Sequence, residues 1–175
     1  MTHRALAAAL LMVLTLGACG DDDNPAGPSP QPGSFTFVTT MSPGNEVPPV
    51  TNADGGGMGT VTVTLLVTRD GSGSITGGTA NFTANLSGFP GGTVLTGAHI
   101  HQAPAGQNAG IAVNTGLASG EVTLTNGSGS FTKNGVNVSG SLANALVANP
   151  ASFYFNVHTT LNPSGAVRGQ LALQQ

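Results

Sequence analysis

Three of the four histidines in this chain are spaced so that strands could bring them together. "GAHIHQ" carries His99 and His101 two residues apart, and "YFNVHTT" carries His158. Residues i and i+2 of a β-strand project from one face, so a His-x-His pair sets two imidazoles side by side. A third imidazole from another strand completes a facial set of nitrogen donors suited to Zn²⁺ or Cu²⁺. Tyr154 and Asn156 alternate with His158 on the same strand face, and "GAVRGQ" sets Arg168 and Gln170 opposite Val167. Glu46, in "PGNEVPPV", is an acid that can reach in from a loop. A metal set of His99, His101 and His158, lined by Glu46, Tyr154, Asn156 and Arg168, is therefore expected at an end or outer face of the domain. A second reading stays open. The histidines can instead bond to loop carbonyls while Glu46 pairs with Arg168, giving a structural polar cluster. A cation near Arg168 is unfavourable unless Glu46 offsets that charge.

Other chemistries fit the residues poorly. A dinuclear copper–zinc site needs about twice these histidines and an aspartate. A Ser-His-Asp triad needs a buried carboxylate, yet Asp54 and Asp70 stand in turn-like contexts and no "GxSxG" occurs. Glu46 and Glu121 are the candidates for a glycosidase pair, and nothing in their spacing joins them. No glycine-rich phosphate loop opens a helix. A non-catalytic binding role fits best. Charged residues are 6% of the chain, with net charge −3 and no basic patch, which argues against nucleic acid.

The elements that must position these residues read as all-β. "SFTFVTT" places Phe35, Phe37 and Thr39 on one face, "TVTVTLLVT" alternates Val61, Val63, Leu65 and Val67 with threonines, and "ANFTANL" alternates Phe82, Ala84 and Leu86. "GEVTLT" pairs Val122 with Leu124, and "GAVRGQLAL" places Val167, Leu171 and Leu173 together. In "TVLTGAHIH", simple alternation puts Val94, Ala98 and Ile100 in the core and Leu95 and Gly97 with the histidines. Asp70-Gly71, Asn126-Gly127 and Asn134-Gly135 are the dipeptides of type I′ hairpin turns. One short helix fits "SGSLANALVANP", capped by Ser139 or Ser141, with Leu142, Ala145 and Leu146 on one face and Pro150 as its stop. The expectation is an antiparallel sandwich or partly closed barrel of seven to nine strands with one short helix.

The start of the chain reads as an address. Arg4 precedes an uncharged apolar run over residues 5–18, shorter than the about 20 residues of a membrane span. That run ends in "LGAC", which resembles the bacterial lipobox and uses the chain's one cysteine. The resemblance implies a lipoprotein signal over residues 1–18 and acylation of Cys19. Residues 19–34 then form an acidic, Pro-rich tether without an apolar period. Asp21 to Asp23 resemble lipoprotein sorting signals, and a run of solvated charge explains them equally. The expected location is the cell envelope, lipid-anchored in the outer membrane, facing the periplasm or the surface. Its partner there, an extracytoplasmic protein or small ligand, is not specified.

Over residues 35–175, "PGNEVPPV", "GAHIHQAPAGQNAGIAV" and "FYFNVHTTLNPSGAVRGQL" together resemble the CHRD domain, named after the chordins of animals and widespread in bacterial secreted proteins. In chordin this domain is linked to extracellular binding and regulation, so the resemblance implies a binding module. One position departs from the family. Its "GE-x-RG" pattern has an acid where this chain has Ala166, so any role of that carboxylate is missing here.

Overall fold

The structure, a computed structural model, describes residues 33–174. The expected signal segment, Cys19 and nearly all of the expected tether lie outside the described residues. Among those described, no helix is long and apolar enough to cross a membrane.

Two antiparallel sheets form a sandwich. The first orders its strands β10-β1-β2-β3-β7, from β1 (Ser34–Met41), β2 (Met58–Arg69), β3 (Ile75–Ser87), β7 (Gly129–Ser139) and β10 (Ala172–Leu173). The second orders β5-β4-β8-β9, from β4 (Thr93–Gln102), β5 (Ile111–Asn114), β8 (Phe153–Thr159) and β9 (Val167–Gln170), with β6 (Thr123–Leu124) pairing to β4. The sheets do not close into a barrel. They are joined at one corner, where Ser42, just past β1, exchanges backbone hydrogen bonds with Arg168 of β9 at 3.1 and 3.2 Å. The ten strands among the described residues exceed the seven to nine expected, and two of them, β6 and β10, are only two residues long.

Alternation on β1, β2 and β3 sends Phe37, Val61, Val63, Leu65, Phe82, Ala84 and Leu86 inward, as expected. Leu95, Ile100, Phe153, Phe155, Val157 and Val167 meet them from the second sheet. Phe82 and Phe155 pack across the interface with ring centroids 5.9 Å apart. Fully burying each such side chain contributes roughly 1.5–3 kcal/mol. The helix α1 (Gly140–Ala148) starts on Ser139, whose hydroxyl accepts the Leu142 N–H at 3.4 Å, and packs Ala143 and Leu146 inward. Gly140 is needed there, since a Cβ would stand 2.6 Å from the Thr76 carbonyl oxygen.

Several local expectations fail for identifiable reasons. Leu95 is fully buried, because the β4–β8 register shifts between Leu95 and Gly97 and the extra residue reverses the alternation. None of the three Asx-Gly dipeptides makes a two-residue hairpin. Asp70 opens a longer loop, its carboxylate accepting from the Ser72 and Ser74 N–H groups. Asn126 and Gly127 both take positive φ but lead from β6 in one sheet to β7 in the other. Asn134-Gly135 lies inside β7, where the β3 pairing slips and the Gly135 N–H bonds to Asn81. Leu173 is exposed, because the chain passes from the second sheet to the first after Leu171.

Candidate metal centre

The strand register lays the polar residues out as a grid on the outer face of the second sheet. Gly97 stands opposite His158, His99 opposite Asn156 and then Arg168, and His101 opposite Tyr154 and then Gln170. Gly97 has a specific role in this grid. It offers no side chain between the two imidazoles, and a Cβ there would lie 3.1 Å from His99 Cε1 and 3.9 Å from His158 Cδ2. His99 and His158 therefore close over it, with His99 Nδ1 and His158 Nε2 2.9 Å apart.

This face is not open to solvent as expected. All seven residues of β8 are buried, and His101 is only 6% exposed. The loops that follow β1, β4 and β8 fold onto it. Asp54 pins two of them together, accepting from Thr159 Oγ1 at 2.6 Å and Asn162 Nδ2 at 2.7 Å. Asn108 of the loop after β4 ties to the loop after β1 by donating to the Val47 carbonyl at 2.8 Å.

Hydrogen bonding assigns the imidazole protons. His158 Nδ1 donates to the Pro163 carbonyl at 3.0 Å, and His101 Nδ1 donates to the Ala109 carbonyl at 2.9 Å. Carbonyl oxygens only accept, so both Nδ1 atoms carry hydrogen and both Nε2 atoms are turned toward the sheet face. Backbone carbonyls of this kind orient metal-binding imidazoles in general. The lone pair of His158 Nε2 makes His99 Nδ1 the donor in the 2.9 Å contact. His101 Nε2 lies 3.0 Å from Asn156 Oδ1. The potential ligand atoms of all three histidines fall within 4.8 Å of one another. Burial is the main cause that holds the His99 imidazole down at about 4, with the neighbouring histidines adding to it. Burial likewise lowers His158, against the Pro163 bond. Both rings are thus neutral, and able to donate a lone pair, near neutral pH.

The remaining polar residues form a second layer beside the imidazoles. Tyr154 stacks on His101, with centroids 4.8 Å apart and planes 9° apart, and the Arg168 guanidinium lies 4.6 Å from the Tyr154 ring centre. Arg168 donates from Nε to the Asn45 carbonyl at 2.5 Å, and from Nη1 to the Gln107 carbonyl and Asn108 Oδ1 at 3.1 and 2.9 Å. Glu46 Oε2 stands 3.8 Å from Arg168 Nε, too long for a hydrogen bond. Glu46 Oε1 and Arg168 Nη2 are buried without partners among the described residues. Burial pushes the Glu46 carboxyl up to about 7, outweighing the Arg168 charge and the bond from Asn156. Gly165, at φ 134°, makes room for this arrangement; a Cβ would lie 2.7 Å from both Glu46 carboxylate oxygens. Ala166 is fully buried.

The structure thus brings His99, His101, His158, Tyr154, Asn156, Arg168 and Glu46 into one neighbourhood. Sequence reasoning placed Gly97 on the histidine face without its role, and missed Gly165 and the Ala109 and Pro163 carbonyls. A glycine two residues before His99, on the same strand face, was a readable signal. Backbone carbonyls leave none.

A scan against family models matches the CHRD domain over residues 37–171. No curated protein and no solved structure matches the chain. The matched span runs from β1 to the end of the second sheet and includes every residue of the grid. The chain therefore belongs to the CHRD domain family.

Proposed function

We propose that this CHRD-domain protein is a lipid-anchored, non-catalytic binding module of the cell envelope. Its ligand is one divalent transition-metal ion, Zn²⁺ or Cu²⁺, held by His99, His101 and His158. The convergence of the three imidazoles within 4.8 Å carries the reading. Three nitrogens each about 2.0–2.1 Å from a tetrahedral ion stand about 3.4 Å apart. Turning His101 Nε2 from Asn156 onto the ion closes the set. His99 ligates through Nδ1 once its proton moves to Nε2, and the ion then replaces the hydrogen bond to His158. The Arg168 guanidinium spends its Nε and Nη1 donors on Asn45, Gln107 and Asn108.

Calorimetry on the purified chain tests this with Zn²⁺ and Cu²⁺ in turn. One ion per chain is expected, with affinity severalfold or more weaker in His99→Ala, whose side chain is only half-buried. Failure of the wild type to bind either ion overturns the metal reading and leaves a hydrogen-bonded cluster. The anchor rests on "LGAC". Labelled palmitate should enter the wild type and not Cys19→Ser, and absence of label from both sinks it.

A further inference from the structure

A metal ion held only by these histidines has an incomplete coordination shell. Structural zinc sites close with four protein ligands, whereas sites with three keep a position for an exogenous one. Among the described residues no fourth His, Cys, Asp or Glu joins the group. The nearby alternatives are committed elsewhere. Asp54 is held by Thr159 and Asn162. The Glu46 carboxylate takes a bond from Asn156 and packs against Gly165. The Tyr154 hydroxyl faces the Ala109 N–H at 3.4 Å. One side of the cluster is not sealed: His99 is half-buried, its Nε2 makes no hydrogen bond among the described residues, and Gly97 beneath it has no side chain.

The charges decide what fills the gap. Three neutral imidazoles leave a divalent ion its full charge, and no carboxylate ligand offsets it. Arg168 adds a cation on the same sheet face, and its partner Glu46, raised to about 7, is only about half ionised near neutral pH. The region therefore favours an anion. Resting on the proposed metal site, we infer that the ion held by His99, His101 and His158 keeps one coordination position open on the His99 side, and that a small monovalent anion occupies it. Hydroxide from water is the default occupant, and small carboxylates are the competing class.

Cobalt(II) replaces zinc as a coloured probe, and azide serves as the anion. The full chain is loaded with one equivalent of Co²⁺ and its visible spectrum followed as azide is added, with His99→Ala and His101→Ala in parallel. A saturable shift of the bands at one azide per ion, competed by acetate, is the expected result. Both variants should lose the Co²⁺ bands while keeping the wild-type circular dichroism. Wild-type bands that vanish in the variants but ignore azide and acetate mean a closed site; the open position is then wrong and the metal reading stands. If the wild type takes up no Co²⁺, the metal reading fails and this inference falls with it.

Discussion

The two outer faces of the sandwich follow the same alternation and have opposite fates. On the first sheet the rows Thr36–Thr64–Asn81, Val38–Thr62–Thr83–Thr132 and Thr40–Thr60–Asn85–Ser130 carry small polar and β-branched residues, and most of them stay in contact with water. On the second sheet the rows His99–Asn156–Arg168 and His101–Tyr154–Gln170 carry large polar groups, most of them buried under loops. The connections make the difference. The β2–β3 turn is short, while residues 42–57, 103–110 and 160–166 are long enough to fold back over their sheet. A solvated threonine is satisfied wherever it sits. A buried imidazole or guanidinium must have a partner fixed for it, and an unmet buried polar group costs about 1–3 kcal/mol. The second face thus keeps an arrangement that stability alone does not require, and it is where a function is to be sought.

Removing a member from each face should expose this contrast most sharply. Arg168→Ala leaves Glu46 and the Asn45 and Gln107 carbonyls without their buried partner, and should cost about 3–5 kcal/mol in urea unfolding. Equal stability losses in Arg168→Ala and Thr62→Ala would erase the distinction. His101→Ala comes next. It removes the hydrogen bond to the Ala109 carbonyl and the Tyr154 stack and should cost about 1–3 kcal/mol. A cost near zero would mean that the loops do not depend on the imidazole.

The pH dependence separates charge from packing. The Glu46 carboxyl is raised from 4.5 to about 7, so between these values the folded state holds the proton that the unfolded chain releases. Stability then falls as pH rises through this window, by at most about 3 kcal/mol from this group. His99 and His158 are lowered, so the fold holds fewer protons than the unfolded chain and their contribution rises with pH up to about 6.5. The two trends oppose each other in the wild type. Glu46→Gln removes the falling one, so its stability should climb more steeply than the wild type's from pH 4.5 to 7. Parallel curves would show that Glu46 titrates normally. The smallest effect belongs to the open face. Thr62→Ala should change stability by no more than about 1 kcal/mol.

Much of this contrast was legible in the sequence. Period two on β1 to β3 placed Phe37, Val61, Val63, Leu65 and Phe82 in the core. Parity put His99, His101 and His158 on one face, and the register then set them side by side. Leu95 was misplaced because a single inserted residue reverses the alternation, and nothing in "VLTGA" marks it. The burial of the histidine face was not legible either, because it depends on how loops rich in Asn, Pro and Gly fold back. The atoms that orient the imidazoles are the carbonyls of Ala109 and Pro163, which any residue type would supply.

X-ray absorption at the zinc edge of the loaded full chain tests the three-histidine centre most directly. The expected spectrum shows three imidazole nitrogens and one non-imidazole oxygen donor at about 2.0–2.2 Å from the ion, and His99→Ala loses an imidazole shell. A shell of oxygen alone, or zinc lost on gel filtration from the wild type as readily as from His99→Ala, would contradict it.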